Sequence, residues 1–307
     1  MSIKSTVKRV VNGLIRRGYW YNNILFEDCN KFWAYNVFNT EVINLGSTSA
    51  VNAFCYDGLG IKAANFALGH HQLSGDLAIL KNYCSYLKPN GSTVILSLCP
   101  FSSLSGNYQY FEDRYYTLLY PTTLPFYSFR REQLVKAMVA EPLRSYTIMG
   151  FLQDIKRLVV KPNSKMLTEE QMLIDAERWI KSWMREFSLR DFDTPLTLLN
   201  QDAVEEAAFI LNSLVDFCKS RNIRPVILIP PVYRTLGKLF SEKARKLIIE
   251  SLLNRVKDKS VSFINYMDDI EFANDITLFQ NSYLMNKKGA QLFTKRVLSD
   301  LQLIRKM

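Results

Sequence analysis

The sequence predicts an α/β protein with a mostly parallel, five-stranded open sheet between two helix layers, a three-layer α/β/α sandwich. Short β-rich runs alternate with amphipathic helical stretches beyond residue 40, and each run is nearly continuous in apolar character, as strands covered on both faces are. A stretch from about residue 100 to 198 breaks this rhythm. It reads as a helical, aromatic-rich insertion between sheet strands.

The first strand is predicted at Glu41 to Leu45 (EVINL), ending at Gly46. A weaker one covers Ala63 to Leu68 and ends at Gly69; Thr93 to Leu98 (TVILSL) is the third. Between the second and third, Leu73, Leu77, Leu80, Cys84 and Leu87 step at helical spacing, closed by Lys88-Pro89-Asn90-Gly91. The pattern repeats in Val204, Ala208, Leu211, Val215 and Cys218, followed by the strand Pro225 to Ile229 and the breaker Pro230-Pro231. A helix around Ala244 to Val256 precedes a fifth strand, Val261 to Tyr266. The closing helix starts near Asn286 and is expected to bury Ala290, Phe293, Val297, Leu301 and Ile304.

The 307 residues are 48% hydrophobic and 22% charged, ordinary globular composition that excludes a disordered chain. No apolar run approaches the roughly 18 to 20 residues of a membrane span, and the N-terminus lacks a secretory signal pattern, so a soluble, cytoplasmic protein is expected. Five widely spaced cysteines without a CxxC pair predict neither a disulfide framework nor a zinc site. The formal net charge of +10 leaves anionic partners open, including nucleic acid, a membrane surface and acidic glycans. A nucleic-acid-binding reading draws on that charge alone and is disfavoured by the absence of any recognised motif.

Residues 1–40 are read as a basic N-terminal helical segment, and 41–307 as the α/β domain with its insertion at about 100–198. Ile3, Val7, Val10 and Leu14 fall on one side of a helix, with Lys4, Lys8, Arg9, Arg16 and Arg17 around the rest. Such a helix packs on its own domain or a partner subunit, or attaches residues 1–18 to an anionic membrane surface. The insertion carries Tyr108, Tyr110, Phe111, Tyr115, Tyr116, Trp179 and Trp183 among other aromatics. It leaves from the carboxyl end of a strand, so it either walls the ligand crevice of the sheet or forms a helical subdomain with an ordinary aromatic core.

The chemistry centres on Gly46-Ser47-Thr48-Ser49. Hydroxyls at a strand-to-helix turn meet unpaired backbone N–H groups and the positive end of the helix dipole. That setting suits a nucleophile with an oxyanion hole, a bound anion, or simple helix capping. His70 and His71 are the chain's only histidines. They follow Gly69 and serve either as a base for these hydroxyls or as capping or surface residues. Cys99 ends a strand as a buried thiol or a nucleophile. Tyr233 and Arg234 follow the fourth strand and either hold an anionic or sugar ligand or merely end the strand. Asp268, Asp269, Glu271 and Asp275 form an acidic loop, expected to be solvated rather than metal-binding. There is no GxxxxGK[ST], no GxGxxG after a strand and no HExxH, so neither a cofactor nor a metal is expected.

Asn44-Leu45-Gly46-Ser47-Thr48 resembles the first block of SGNH hydrolase-like (GDSL-type) proteins, and residues 278–294, with Leu284-Met285-Asn286-Lys287-Lys288-Gly289-Ala290, are similar to that superfamily's last block. The resemblance covers roughly residues 40 to 303 and implies a flavodoxin-like sandwich. It places Thr48 at the nucleophile position, with Ser47 as an alternative, Gly46 and Gly69 at the oxyanion site, and Leu284 and Asn281 where the histidine and aspartate stand. A hydroxyl needs an adjacent base to attack, and Leu284 cannot serve. The Gly-x-Asn-Asp block after the third strand has no counterpart in Ser97 to Ser102. The resemblance thus implies a divergent protein of bacterial cell-surface polysaccharide metabolism whose partner is an acylated glycan or other small ester. It is either an O-acyl esterase or acyltransferase with a non-standard base, or a pseudoenzyme kept as a binding or assembly module.

Overall fold

The computed structural model describes residues 3–70, 73–104, 111–124, 126–159 and 166–304. Its sheet holds five parallel strands in the order β2-β1-β3-β4-β5: β1 Val42–Gly46, β2 Ala63–Asn65, β3 Thr93–Ser97, β4 Arg224–Ile229 and β5 Ser262–Asn265. The three inner strands are almost wholly buried, which is why their sequences are continuously apolar, whereas edge strand β5 is largely exposed. Helices of six residues or more are α1 Ile3–Ile15, α2 Thr48–Ala53, α3 Leu73–Tyr83, α4 Phe129–Ala140, α5 Ile148–Val159, α6 Glu169–Glu186, α7 Leu198–Lys219 and α8 Lys287–Asp300. Residues 242–253 are helical as well, with a π turn at Lys246–Glu250.

The chain divides into two compact units, Met1–Asn36 with Phe111–Ser164, and Val37–Tyr110 with Lys165–Met307. The second unit is the α/β sandwich. Side chains alternate across each strand, so Val42, Ile95, Val226 and Leu228 face one layer, where they pack with Ala50 and Ala53 of α2 and Phe293 and Val297 of α8. On the other face α3 packs against α7, whose Val204, Ala208, Leu211, Val215 and Cys218 are all buried. The closing helix begins at Asn286, whose side chain accepts the Gly289 N–H at 3.0 Å. A side chain at Gly289 would overlap the Leu278 carbonyl, which accounts for glycine there.

The first unit joins the N-terminal helix to residues 111–159 of the insertion; residues 166–198 belong to the sandwich. In the first unit α1 is held through Asn12, whose Oδ1 accepts the Leu143 N–H at 2.9 Å. Arg16 donates to the Val139 and Ala140 carbonyls at the end of α4.

Candidate functional site

The register sets the carboxyl ends of β1, β3 and β4 level, with Gly46 opposite Ser97 and Ser97 opposite Leu228. Gly46 sits at φ +128°, a region closed to side chains, and an added methyl would overlap the Ser97 carbonyl and come within 2.7 Å of Ala50 Cβ. Its N–H donates to the buried Asp76 carboxylate of α3 at 2.8 Å. The turn into α2 is therefore fixed from two sides.

Ser47 is the N-cap of α2 by backbone conformation, yet its side chain makes no capping hydrogen bond. Thr48 Oγ1 accepts the His70 backbone N–H at 3.3 Å. The β1–β2 ladder continues past the short β2 strand, with Leu68 N–H on the Gly46 carbonyl, and this carries Gly69 and His70 alongside Thr48. His70 is exposed and left-handed at φ +52°. His71 lies outside the described residues. Ser49 is buried, and its hydroxyl has no hydrogen-bond partner among the described residues although it feels the Tyr283 hydroxyl.

The loop at 278–286 brings up Tyr283. Asn281 Oδ1 accepts the Tyr283 and Leu284 N–H groups at 3.0 and 2.8 Å, closing a tight turn, and Leu284 is half-buried. Ser282 is pinned by Asp175 of α6, which accepts both its N–H and its hydroxyl. Tyr283 lies in ring contact with Trp179 and Trp183 of α6, so the second part of the aromatic insertion packs behind a residue that lines the mouth. Burial pushes the Tyr283 hydroxyl well above the ordinary tyrosine range; Cys99 and Glu186 push the same way and Ser49 opposes them. Burial likewise raises the Cys99 thiol, against hydrogen bonds from Ser102, the Phe101 backbone and Tyr283. Glu186, largely at the surface, is raised by lost hydration and lowered by neighbouring His70.

At neutral pH the mouth thus offers a protonated phenol, a protonated thiol and three serine or threonine hydroxyls, flanked by His70 and Glu186. Its deepest part, lined by Ser49, Leu98, Pro100, Pro230, Val232 and Tyr283, leaves no room for a water molecule. A ligand therefore meets the rim, where Ser47, Thr48 and His70 stand.

Tyr233 and Arg234 converge elsewhere, both donating to Glu169 Oε1 of α6; the Arg234 bond is 2.7 Å. The Tyr233 ring packs on Phe279. The acidic loop is engaged in ion pairs and caps: Asp268 with Arg245, Asp269 and Glu271 with Arg296, and Asp275 capping the turn at Thr277. Among the described residues no group of three His, Cys, Asp or Glu side chains is placed to hold a metal.

Sequence reasoning missed Asp76, Glu186 and Tyr283. It also missed a cavity of about 670 Å³ in the first unit, lined by Arg16, Tyr21, Trp33, Tyr116 and Lys136 among others. Its lining comes from segments about a hundred residues apart, which no local pattern could join. Arg16 and Trp33 spend donors on Val139, Ala140 and Thr117, and Lys136 pairs with Glu132, so part of the cavity's polar lining is engaged within the fold.

The fold and mouth define an open parallel α/β protein with a hydroxyl-lined rim at the sheet's carboxyl end, where such sheets bind ligands. No family model matches the chain, and no curated protein is similar to it at a significant level.

Proposed function

We propose that this chain is an SGNH hydrolase-like protein of bacterial cell-surface polysaccharide metabolism that binds an acylated glycan at the rim formed by Ser47, Thr48 and His70, with triad hydrolysis lost. The observation that carries this is the turn at 281–284: Asn281 is spent on its own backbone, Leu284 has no titratable group, and protonated Tyr283 takes the mouth. Strand order and the position of Gly46 agree with the fold that the resemblance implies. Neutral hydroxyls with no titratable group at 284 to take their proton favour holding sugar hydroxyls and ester carbonyls over attacking them.

A second reading is favoured by one observation, the placing of His70 alongside Thr48, whose Oγ1 accepts the His70 backbone N–H, with the Glu186 carboxylate close enough to feel the imidazole. In it Thr48 is the nucleophile of an O-acyl esterase or acyltransferase, His70 the base and Glu186 its orienting carboxylate. An aryl acetate and a fluorophosphonate probe separate the two. Binding alone gives no turnover and no label, with thermal stabilisation by an O-acetylated oligosaccharide that Ser47→Ala and Thr48→Val weaken. Saturable turnover and labelling abolished by Thr48→Ala would establish the enzyme instead.

We also propose peripheral attachment to a membrane. It is supported by the apolar stripe of α1, where Ile3, Val7, Val10 and Leu14 face solvent.

A further inference from the structure

The first unit holds a helix that is turned inside out. All seven large apolar side chains of α5 (Ile148, Met149, Phe151, Leu152, Ile155, Leu158 and Val159) are exposed, Leu158 at 87% and Ile148 at 80%. Its buried residue is Gly150. Helical spacing lines up Ile148, Leu152, Ile155 and Val159, with Phe151 and Leu158 on their flank, while Gly150, Asp154 and Arg157 occupy the opposite face.

That opposite face holds the helix to its unit. Gly150 lies against the Trp20 indole, with no room for a side chain to be added freely. Asp154 accepts the Trp20 N–H and the Tyr146 hydroxyl, each at 2.6 Å. The Arg157 guanidinium lies over the Tyr19 ring, 5.5 Å from its centre. The polar and small residues thus make the intramolecular contacts, and the apolar face is left in water. An exposed apolar patch of this size marks an interaction surface. Helix α1 shows the same inversion: Asn12 and Ile15 are buried while the stripe from Ile3 to Leu14 is exposed.

Charge selects the occupant. Fourteen lysines and arginines against seven aspartates and glutamates fall in the two segments of this unit. Helix α1 has no acidic residue, and the one acid of α5 is Asp154, already bound on the inner face. Twelve residues of helix reach about 18 Å, too short to cross a bilayer, and among the described residues no helix is long and apolar enough to do so. An apolar helix face in a cationic unit fits a bilayer surface with anionic headgroups, the helix lying in the interface plane.

We propose that α5 is the principal membrane-embedding element of this protein, its apolar face sunk among the acyl chains of an anionic bilayer, with α1 as a second anchor. This rests on the peripheral attachment proposed above and assigns it to a different helix.

Flotation of the full chain with vesicles tests it, using equal parts phosphatidylglycerol and phosphatidylcholine against phosphatidylcholine alone. Wild type is expected to float with the anionic vesicles. L152E/L158E in α5 should reduce partitioning by about tenfold or more, V7E/L14E in α1 by less, and the control F209E, an exposed apolar site on α7, should leave it unchanged. All the replaced side chains are exposed, and circular dichroism with a urea midpoint confirms each fold. Wild type that stays with the solvent overturns membrane attachment altogether. Wild type that floats, with L152E/L158E floating equally, overturns the assignment to α5 alone. A dimer in lipid-free sedimentation that L152E/L158E converts to monomer, without flotation, gives the face to a second copy of the chain and also overturns the proposal.

Discussion

Helices α5 and α7 carry apolar residues at the same helical spacing and use them in opposite ways. In α7 the stripe from Val204 to Cys218 is buried in the sandwich, and in α5 every large apolar side chain points to solvent. The difference lies in what the remaining positions offer. The inward face of α5 has Gly150, small enough to meet an indole, and Asp154, which two donors satisfy. A polar face can therefore dock a helix when each of its groups finds a partner, and the apolar face is then released for something outside the fold.

The largest effect should come from the turn that organises the sandwich. Gly46→Ala combines a disfavoured φ with overlap onto the Ser97 carbonyl and should cost about 3 kcal/mol or more by urea denaturation. The two helices are then compared directly: Leu211→Ala in α7 should cost about 3 kcal/mol, and Leu158→Ala in α5 less than about 0.5 kcal/mol. Equal losses would break the contrast. Asp154→Ala leaves the Trp20 N–H without its acceptor and should cost about 2 kcal/mol, read as faster hydrogen exchange over 148–159 with β3 amides unaffected.

The smallest effect concerns Asp258, whose carboxylate Lys219 and Ser260 hold well below the ordinary aspartate range. Its folded value lies below its unfolded one. Its contribution is therefore present above the unfolded aspartate value, about 3.9, and is lost as pH falls toward the folded value. Asp258→Asn should flatten the acid limb of the stability profile slightly, and high salt should mask the difference.

Strand positions were legible because each inner strand is buried on both faces, leaving nearly uninterrupted apolar runs at 42–46, 93–97 and 224–229. The steps of α7 and α8 were legible because their apolar stripes meet the core. For α1 the same reasoning gave a stripe but no direction, since periodicity is unchanged when a helix is rotated to face water. The site was legible at Gly46, where backbone conformation demands glycine, and at His70, which the β1–β2 ladder carries to Thr48. Tyr283 was not, because the rings that bury it, Trp179 and Trp183, lie about a hundred residues earlier in the chain and only the fold brings them to it. Asp76 and Glu186 lie on helices remote in sequence, with nothing local to mark them.

The turn closed by Asn281 also bears on how freely this loop can vary. An aspartate at 281 presents the same oxygen to the Tyr283 and Leu284 N–H groups, so the amide can become an acid without disturbing the loop. Position 284 is half-buried and already held by that turn. The loop that carries Tyr283 to the mouth therefore owes its shape to one acceptor oxygen, and it keeps that shape whether an amide or a carboxylate stands at 281.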